Sequence, residues 1–223
     1  MPNLEFPLVC LVTNRQRCRG RKIEEIVESA VDGGVDMVQL REKGLSSAQL
    51  YDLAYKIREI TRDKALFLVN DRIDIALAVG ADGVQLPENG FGLDVARGLV
   101  GSRAIVSRSV HSVDGAITAE KEGADMVVFG TVFGSESHHD VAPGGPDLLR
   151  RACGQIQIPI LAIGGVTDKN IELVVGSGAI GCAVISAITK SEDPFQASRK
   201  LVAATRAAWS HLGLEGKHDK SDS

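Results

Sequence analysis

Short apolar runs recur along the whole chain, separated by longer segments of mixed polarity. Each run is rich in β-branched residues and has the length of a buried strand rather than of a helix. The pattern predicts eight strands, at Leu8–Val12, Met37–Leu40, Leu66–Val69, Gly83–Leu86, Ala104–Val106, Met126–Phe129, Ile158–Ile163 and Cys182–Ile185.

The segments between the runs have the apolar spacing of amphipathic helices. After Ser46 or Ser47 as an N-cap, one helical face collects a set of apolar residues, Leu50, Leu53, Ala54, Ile57 and Ile60. Several segments end in glycine, an acidic residue and the next strand, as in GADGVQL and GADMVVF, and such glycines suit the left-handed position that closes a helix. Strands that alternate with helices predict a parallel sheet made of βα units.

Eight βα units in 223 residues predict an α/β fold, a (β/α)₈ barrel that forms a single domain over residues 1–213. An open doubly wound sheet is the alternative. It usually carries G-x-G-x-x-G after the first strand, and LVTNRQRCRG does not contain this pattern. Residues 214–223 are polar and are predicted to form a disordered tail.

Composition narrows the classes of partner. The formal net charge of −4 argues against nucleic acid or a membrane surface and favours a small substrate. No export signal or membrane-length apolar stretch is recognised, so we expect a cytoplasmic protein. The four cysteines form no C-x-x-C pair, which indicates buried thiols in a reducing compartment. The number of subunits is left open, a homo-oligomer included.

Polar residues follow the second predicted strand at alternating positions. In an extended chain, Gln39, Arg41 and Lys43 project from one face, while Glu42 points the other way. Two cations at this spacing suit a polyanionic ligand at the mouth of the barrel. The alternative is a solvated strand end with Arg41 and Glu42 in ion pairs.

Asn70 and Asp71 directly follow the third predicted strand, where barrels carry catalytic groups. Facing cations across the mouth, Asp71 is a candidate Mg²⁺ ligand, because Mg²⁺ usually binds one or two carboxylates plus phosphate oxygens. The alternative is that Asp71 is the N-cap of the next helix.

The fifth predicted strand runs into SRSVHS, in which Ser107, Ser109 and His111 alternate with Arg108. We expect His111 and Ser112 to cap the following helix. After the sixth strand, the loop GTVFGSESHHDVAPGGPD offers hydroxyl and imidazole donors for an anion.

The last two strands end in AIGGVTDKN and AVISAI. Loops at these positions often hold a phosphate through backbone N–H groups. Gly165 permits close approach of the backbone to a ligand, and Ser186 follows the eighth strand. A tight glycine turn into a helix capped by Thr167 or Asp168 is the alternative, and it is compatible with a phosphate site.

Six segments together resemble the thiamine-phosphate synthase family, which includes the thiazole tautomerases: QLREK, VNDRIDIALAVGADGVQL, SVHS, GADMVVFGTVF, IPILAIGGVTDKN and GCAVISAI. The resemblance covers about residues 8–190 in the same order. It implies a transferase with a (β/α)₈ barrel. Such an enzyme joins hydroxymethylpyrimidine diphosphate to thiazole phosphate and releases pyrophosphate with the help of Mg²⁺.

The resemblance also implies roles for individual residues. The pyrimidine diphosphate would contact Gln39, Arg41, Lys43 and Asn70, and Asp71 would bind Mg²⁺. Ser109 would lie beside the pyrimidine. The thiazole phosphate would be held by Ser135, Ser137, Gly165, Ile185 and Ser186, with His138 in the same loop as the two serines. Arg41, Lys43 and Ser109 are the candidate catalytic residues.

The chain departs from the family pattern at three places. Gly90 stands where G-Q-x-D places a second acidic metal ligand, which leaves Glu88 or Asn89 as a substitute. The family's T-x-T-K loop reads Ser-Glu-Ser-His here. The segments VQLP and SRSVHS look closer to the tautomerase branch, yet Thr131 stands where that branch has its proton-transferring histidine.

Because Asn70, Asp71, Arg41 and Lys43 are intact, we rank thiamine-phosphate synthesis first. A thiazole tautomerase is second and a non-catalytic binder of thiamine precursors is third.

Overall fold

The eight apolar runs form parallel strands that close into one barrel in chain order, with the last strand paired to the first. The structure, a computed structural model, describes residue 4 and residues 6–134 and 142–214. The strands are β1 (Leu8–Val12), β2 (Met37–Leu40), β3 (Leu66–Asn70), β4 (Gly83–Leu86), β5 (Ile105–Val110), β6 (Met126–Gly130), β7 (Ile160–Ile163) and β8 (Gly181–Val184). The predicted (β/α)₈ barrel is confirmed.

Helices follow the strands and form the outer layer. They are α1 (Ile23–Asp32), α2 (Ser47–Thr61), α3 (Ile73–Val79), α4 (Leu93–Val100), α5 (Val113–Lys121), α6 (Gly145–Cys153), α7 (Ile171–Val175), α8 (Ser186–Thr189) and α9 (Pro194–His211). A 3₁₀ turn, Arg15–Arg17, lies between β1 and α1. The long α9 packs against α1 and α7.

Local sequence explains where the helices begin and end. Ser46, rather than Ser47, is the N-cap of α2: its hydroxyl accepts the Gln49 N–H, and the Gln49 side chain accepts the Ser46 N–H. This reciprocal capping box satisfies two donors that the helix itself cannot pair. Gly80 ends α3 in the left-handed conformation, at φ +61°. This agrees with the prediction from segments that end in a glycine, an acidic residue and the next strand.

The largest difference between predicted and observed strands is at β5. The apolar run predicts an end at Val106, whereas the strand continues to Val110 and includes Ser107 and Ser109. Ser109 lines the cavity and Ser107 is fully buried, so the strand continues through polar residues beyond the apolar run. Smaller shifts of one or two residues occur at β3, β6, β7 and β8.

An aspartate repeats at the end of the barrel where the strands begin. The carboxylates of Asp36, Asp82 and Asp125 precede β2, β4 and β6, and each accepts a backbone N–H from the preceding strand. Each also pairs with an arginine from a helix, namely Arg206, Arg58 and Arg97 in that order. Burial nevertheless raises the pKa of the Asp36 carboxyl. These aspartates stabilise the end of the barrel opposite the strand carboxyl ends.

The core consists of the barrel interior and the layer between strands and helices. Cys10, Cys18 and Cys182 are buried and Cys153 is partly buried, all as free thiols. Burial raises the pKa of the Cys153 thiol to about 12, so it is protonated at neutral pH. Within the described chain, helices that combine membrane-spanning length with sufficient apolarity are absent.

The boundary of the predicted tail falls at the end of the described residues. Leu214, its first residue, is partly buried against the core. Residues 215–223 lie outside the described part of the chain.

Candidate functional site

A cavity of about 660 Å³ opens at the end of the barrel where the strands finish. Side chains from the carboxyl ends of β2, β3 and β5 line it, as the sequence predicts: Gln39, Arg41, Lys43, Asn70, Asp71 and Ser109. Glu88, Gly165, Ile185 and Ser186 line it as well. The structure therefore brings together all the predicted site residues that lie in the described part of the chain.

The alternation after β2 places its polar side chains as expected. Arg41 and Lys43 line the cavity, while the Glu42 carboxylate accepts the backbone N–H of Arg15 at 3.0 and 3.1 Å. The Glu42 side chain is only 2% exposed. The hydroxyl of Thr13 accepts the Arg41 N–H at 2.9 Å. These bonds fix the segment that follows β2, and both cations line the cavity.

The end of β3 forms a tight turn centred on Asp71. The Asp71 N–H donates to the Gln85 carbonyl at 2.9 Å, and the Arg72 N–H donates to the Asn70 carbonyl at 2.8 Å. Asp71 has φ +65°, in the left-handed region that aspartate tolerates better than most residues. The residue before α3 is Arg72, so the alternative in which Asp71 is the N-cap is wrong. The turn instead directs Asp71 to the cavity.

Asn70 is held by its neighbour across the barrel mouth. The Gln39 side-chain N–H donates to Asn70 Oδ1 at 3.0 Å, which leaves the Asn70 amide N–H groups directed to other acceptors. Gln39 is 5% exposed and Asn70 is half-buried. An amide pair of this kind supplies N–H donors to a ligand without adding charge.

Glu88 and His111, which follow the neighbouring strands β4 and β5, contact each other at the mouth. His111 Nδ1 lies 2.7 Å from Glu88 Oε2, and both residues line the cavity. Ser112 caps α5 by accepting the Gly115 N–H, so the expectation that His111 helps to cap this helix is wrong. The imidazole instead contacts the Glu88 carboxylate, the group that the family resemblance offers as a substitute metal ligand.

Arg108 holds the loop that carries Glu88. Its guanidinium donates to the backbone carbonyls of Pro87, Glu88 and Phe91 at 2.7, 3.3 and 2.6 Å. Burial lowers the pKa of Arg108 from its ordinary value. Sequence reasoning did not recognise this role, because the alternation within β5 shows which residues share a face but not which loop lies against that face.

Ser109 is oriented by a buried glutamine that the sequence prediction left without a role. The Gln85 side-chain N–H donates to Ser109 Oγ at 3.0 Å and to the Leu86 carbonyl at 3.3 Å. Gln85 is 1% exposed. Because Ser109 Oγ accepts the Gln85 N–H, the hydroxyl proton of Ser109 can be donated to an acceptor on a ligand.

The ends of β7 and β8 present open backbone donors. Gly165 has φ +62°, and a Cβ there would lie 2.6 Å from the Gly134 carbonyl oxygen, so glycine is required. Among the described residues, the N–H groups of Gly165, Val166, Ser186 and Ala187 have no protein acceptor. Asn170, rather than Thr167 or Asp168, precedes α7 as its N-cap residue.

Two further cavity residues bear on function. Thr131, where the tautomerases have histidine, is 7% exposed and lines the cavity. Lys190 also lines it, although the sequence prediction did not include it. Ser135, Ser137 and His138 lie outside the described residues.

The family model for thiamine monophosphate synthase matches residues 9–188. The chain belongs to this family. The thiamine-phosphate synthase of Natronomonas pharaonis is 43% identical over 201 residues, which cover 88% of this chain and 94% of that protein. A putative thiamine-phosphate synthase of Geobacter sulfurreducens is 43% identical over 205 residues, covering 91% and 96% of the two chains.

A solved structure agrees with these matches. The thiamine phosphate pyrophosphorylase from Pyrococcus furiosus superposes with a TM-score of 0.83 at 35% sequence identity, over 91% of this chain and 96% of that one. The predicted resemblance to the thiamine-phosphate synthase family is therefore confirmed over nearly the whole barrel.

Proposed function

We infer that this chain is a thiamine-phosphate synthase, a transferase that joins hydroxymethylpyrimidine diphosphate to thiazole phosphate and releases pyrophosphate. The observation that carries this inference is one cavity with two sets of anion-binding groups. Arg41 and Lys43 lie after β2, whereas Gly165 and Ser186 lie after β7 and β8. A reaction between two phosphorylated substrates requires two such places within one site.

The β2 and β3 ends bind the pyrimidine diphosphate. As the bond from the pyrimidine methylene carbon to the diphosphate oxygen breaks, negative charge increases on the departing oxygens. Arg41 offers a planar fork of donors and Lys43 a mobile ammonium group, and both attract this charge more strongly as it increases. Interactions that strengthen toward the transition state are those that accelerate a reaction.

Asp71 is the residue that would hold Mg²⁺. Three or more carboxylate, imidazole or thiol groups suitably grouped for a metal ion are not found in the described part of the chain. One carboxylate that faces the cavity still fits Mg²⁺, because this ion commonly completes its octahedral shell with substrate phosphate oxygens and water. When bound, Mg²⁺ would neutralise charge on the diphosphate.

Ser109 and the β7 and β8 ends position the two organic groups. Ser109, fixed by Gln85, lies beside the pyrimidine, and its hydroxyl suits a ring nitrogen. Gly165, Ile185 and Ser186 hold the thiazole phosphate, partly through open backbone N–H groups. The thiazole nitrogen then forms the new bond to the pyrimidine methylene carbon, and no strong base is needed.

A thiazole tautomerase is the second candidate, because such enzymes belong to the same family. It requires a group that moves a proton at neutral pH. Thr131 occupies the corresponding place in the cavity, and a threonine hydroxyl is far too weak an acid and base for that purpose. The third reading, a non-catalytic binder, predicts affinity for both substrates without turnover.

The test is incubation of the purified protein with both substrates and Mg²⁺, with pyrophosphate and thiamine phosphate quantified together. The proposal predicts that the two products increase in equal amounts. Tautomerised thiazole phosphate without pyrophosphate would support the second candidate, and binding without products would support the third.

A further inference from the structure

The loop between β1 and α1 is the most cationic segment near the cavity. It carries Arg15, Arg17, Arg19, Arg21 and Lys22 within eight residues. Because β1 pairs with both β2 and β8, this loop lies between the proposed diphosphate and phosphate ends of the site. None of its cations has a role in the proposed function so far.

Bonds on both sides hold the loop across the barrel mouth. On the β2 side, the Arg15 N–H binds the Glu42 carboxylate, and the Arg15 guanidinium reaches the Lys43 carbonyl at 3.5 Å. On the β8 side, Arg21 donates to the carbonyls of Thr189, Ser191 and Glu192. Thr189 is the last residue of α8 and the other two residues follow it, so Arg21 binds the carboxyl end of that helix.

Arg17 is thereby placed beside the phosphate end of the site. Its Nη1 lies 3.5 Å from Ser186 Oγ, and its side chain is half-buried. Lys190 lies four residues after Ser186, lines the cavity and is also half-buried. Arg17 therefore contacts Ser186 directly, and Lys190 lines the cavity one helical turn after the same serine.

We propose that Arg17 and Lys190 bind the phosphate monoester of the substrate at the β8 end, and that they set the preference for a phosphorylated over an unphosphorylated thiazole. The inference rests on the proposed function for the identity of the monoester. Backbone N–H groups alone carry no net charge. A monoester dianion gains far more from a guanidinium and an ammonium group in a partly desolvated cavity.

The first test compares kinetics for thiazole phosphate and for the unphosphorylated thiazole alcohol. Arg17→Ala should raise KM for thiazole phosphate by about 10-fold or more, the order expected for one charge-assisted hydrogen bond. KM for the pyrimidine diphosphate should stay within about twofold, since its binding residues lie after other strands. The preference for thiazole phosphate over the alcohol should fall by the same factor of about 10.

A matched variant controls for net charge. Arg103 is exposed between α4 and β5, at the opposite end of the barrel, and Arg103→Ala removes the same charge. It should leave both KM values unchanged. If Arg17→Ala lowers activity toward thiazole phosphate and toward the alcohol by the same factor, Arg17 merely supports Ser186. That result would overturn the proposal. If Arg17→Ala does not fold, Lys190→Ala provides the same comparison.

The second test needs no activity. Inorganic phosphate is titrated into Arg41→Ala, in which the diphosphate end is weakened, and into Arg41→Ala/Arg17→Ala, with binding followed by nuclear magnetic resonance. The double variant should bind about 10-fold more weakly than Arg41→Ala. Equal affinities would overturn the inference even if the synthase reaction is observed. If the double variant binds phosphate more weakly but the wild-type protein shows no synthase activity, the anion site is supported and the proposed function is rejected.

Discussion

Asp71 adopts a backbone conformation that few residue types tolerate, and this makes a clean substitution available. Asparagine shares the tolerance for left-handed φ, and Asp71 caps no helix, so Asp71→Asn should fold with an unchanged free energy of unfolding. If the carboxylate binds Mg²⁺, the variant should lose most of its activity and its response to Mg²⁺. Thermal unfolding and activity over a Mg²⁺ titration provide the two measurements.

Calorimetry of Mg²⁺ binding completes this prediction. With Gly90 in place of the family's second acidic residue, the wild-type protein should bind Mg²⁺ weakly alone and more tightly with the diphosphate. Tight binding to the free protein would mean that another carboxylate, such as Glu88, acts as a ligand. Full activity with excess chelator would exclude the metal role.

Arg41 provides a prediction about the departing diphosphate. Arg41→Ala should lower kcat/KM by about 10²-fold or more, the order observed when one preorganised electrostatic group is lost. Arg41→Lys should remain impaired, because an ammonium group cannot reproduce the bidentate fork. Steady-state kinetics of the three proteins provide the comparison, and wild-type kinetics in Arg41→Ala would exclude the role.

The placement of single side chains could be predicted from sequence where local backbone geometry determines it. The alternation of an extended chain placed Arg41 and Lys43 in the cavity from sequence alone. The contact between His111 and Glu88 could not be derived in this way, because it joins the ends of two strands 23 residues apart in sequence. Lys190 was missed because α8 is a single turn that the apolar pattern does not show.

At the scale of elements, the apolar pattern located every strand but not every strand end. The prediction stopped β5 at Val106 because Ser107 and Ser109 are polar. Inside a barrel mouth, strand residues contact ligands and buried polar groups as well as the core. The end of a strand in a functional site therefore has a composition that hydrophobicity alone does not predict.

The repeated aspartates provide a prediction about stability. Asp125 is 5% exposed at its side chain and binds both Arg97 and the Val106 N–H. Asp125→Ala should reduce the free energy of unfolding by about 3 kcal/mol, because the partly buried Arg97 loses its carboxylate partner and the buried Val106 N–H loses a side-chain acceptor. Urea unfolding monitored by circular dichroism measures this change.

Asp52→Ala is the matched control, since Asp52 is exposed on α2. It should change the free energy of unfolding by less than about 0.5 kcal/mol. Below the unfolding transition, Asp125→Ala should keep the wild-type kcat because the aspartate lies at the opposite end of the barrel from the cavity. A stable Asp125→Ala protein would contradict the proposed stabilising role.

At the scale of the whole molecule, barrel closure explains why residues distant in sequence share one site. Pairing of β8 with β1 brings Ser186 close to Arg17, which lies 169 residues away in sequence. The number of βα units predicted this closure, and parallel order then placed all strand carboxyl ends at the same mouth. The identity of the substrates could not follow from the barrel itself, since many reactions occur on this fold. It required the family motifs.

A single-turnover experiment tests the central claim most directly. The protein, in excess over hydroxymethylpyrimidine diphosphate, is mixed with saturating thiazole phosphate and Mg²⁺, and the reaction is quenched at intervals. We expect each pyrimidine diphosphate consumed to yield one thiamine phosphate and one pyrophosphate. Consumption of neither substrate, or release of pyrophosphate without thiamine phosphate, would contradict it.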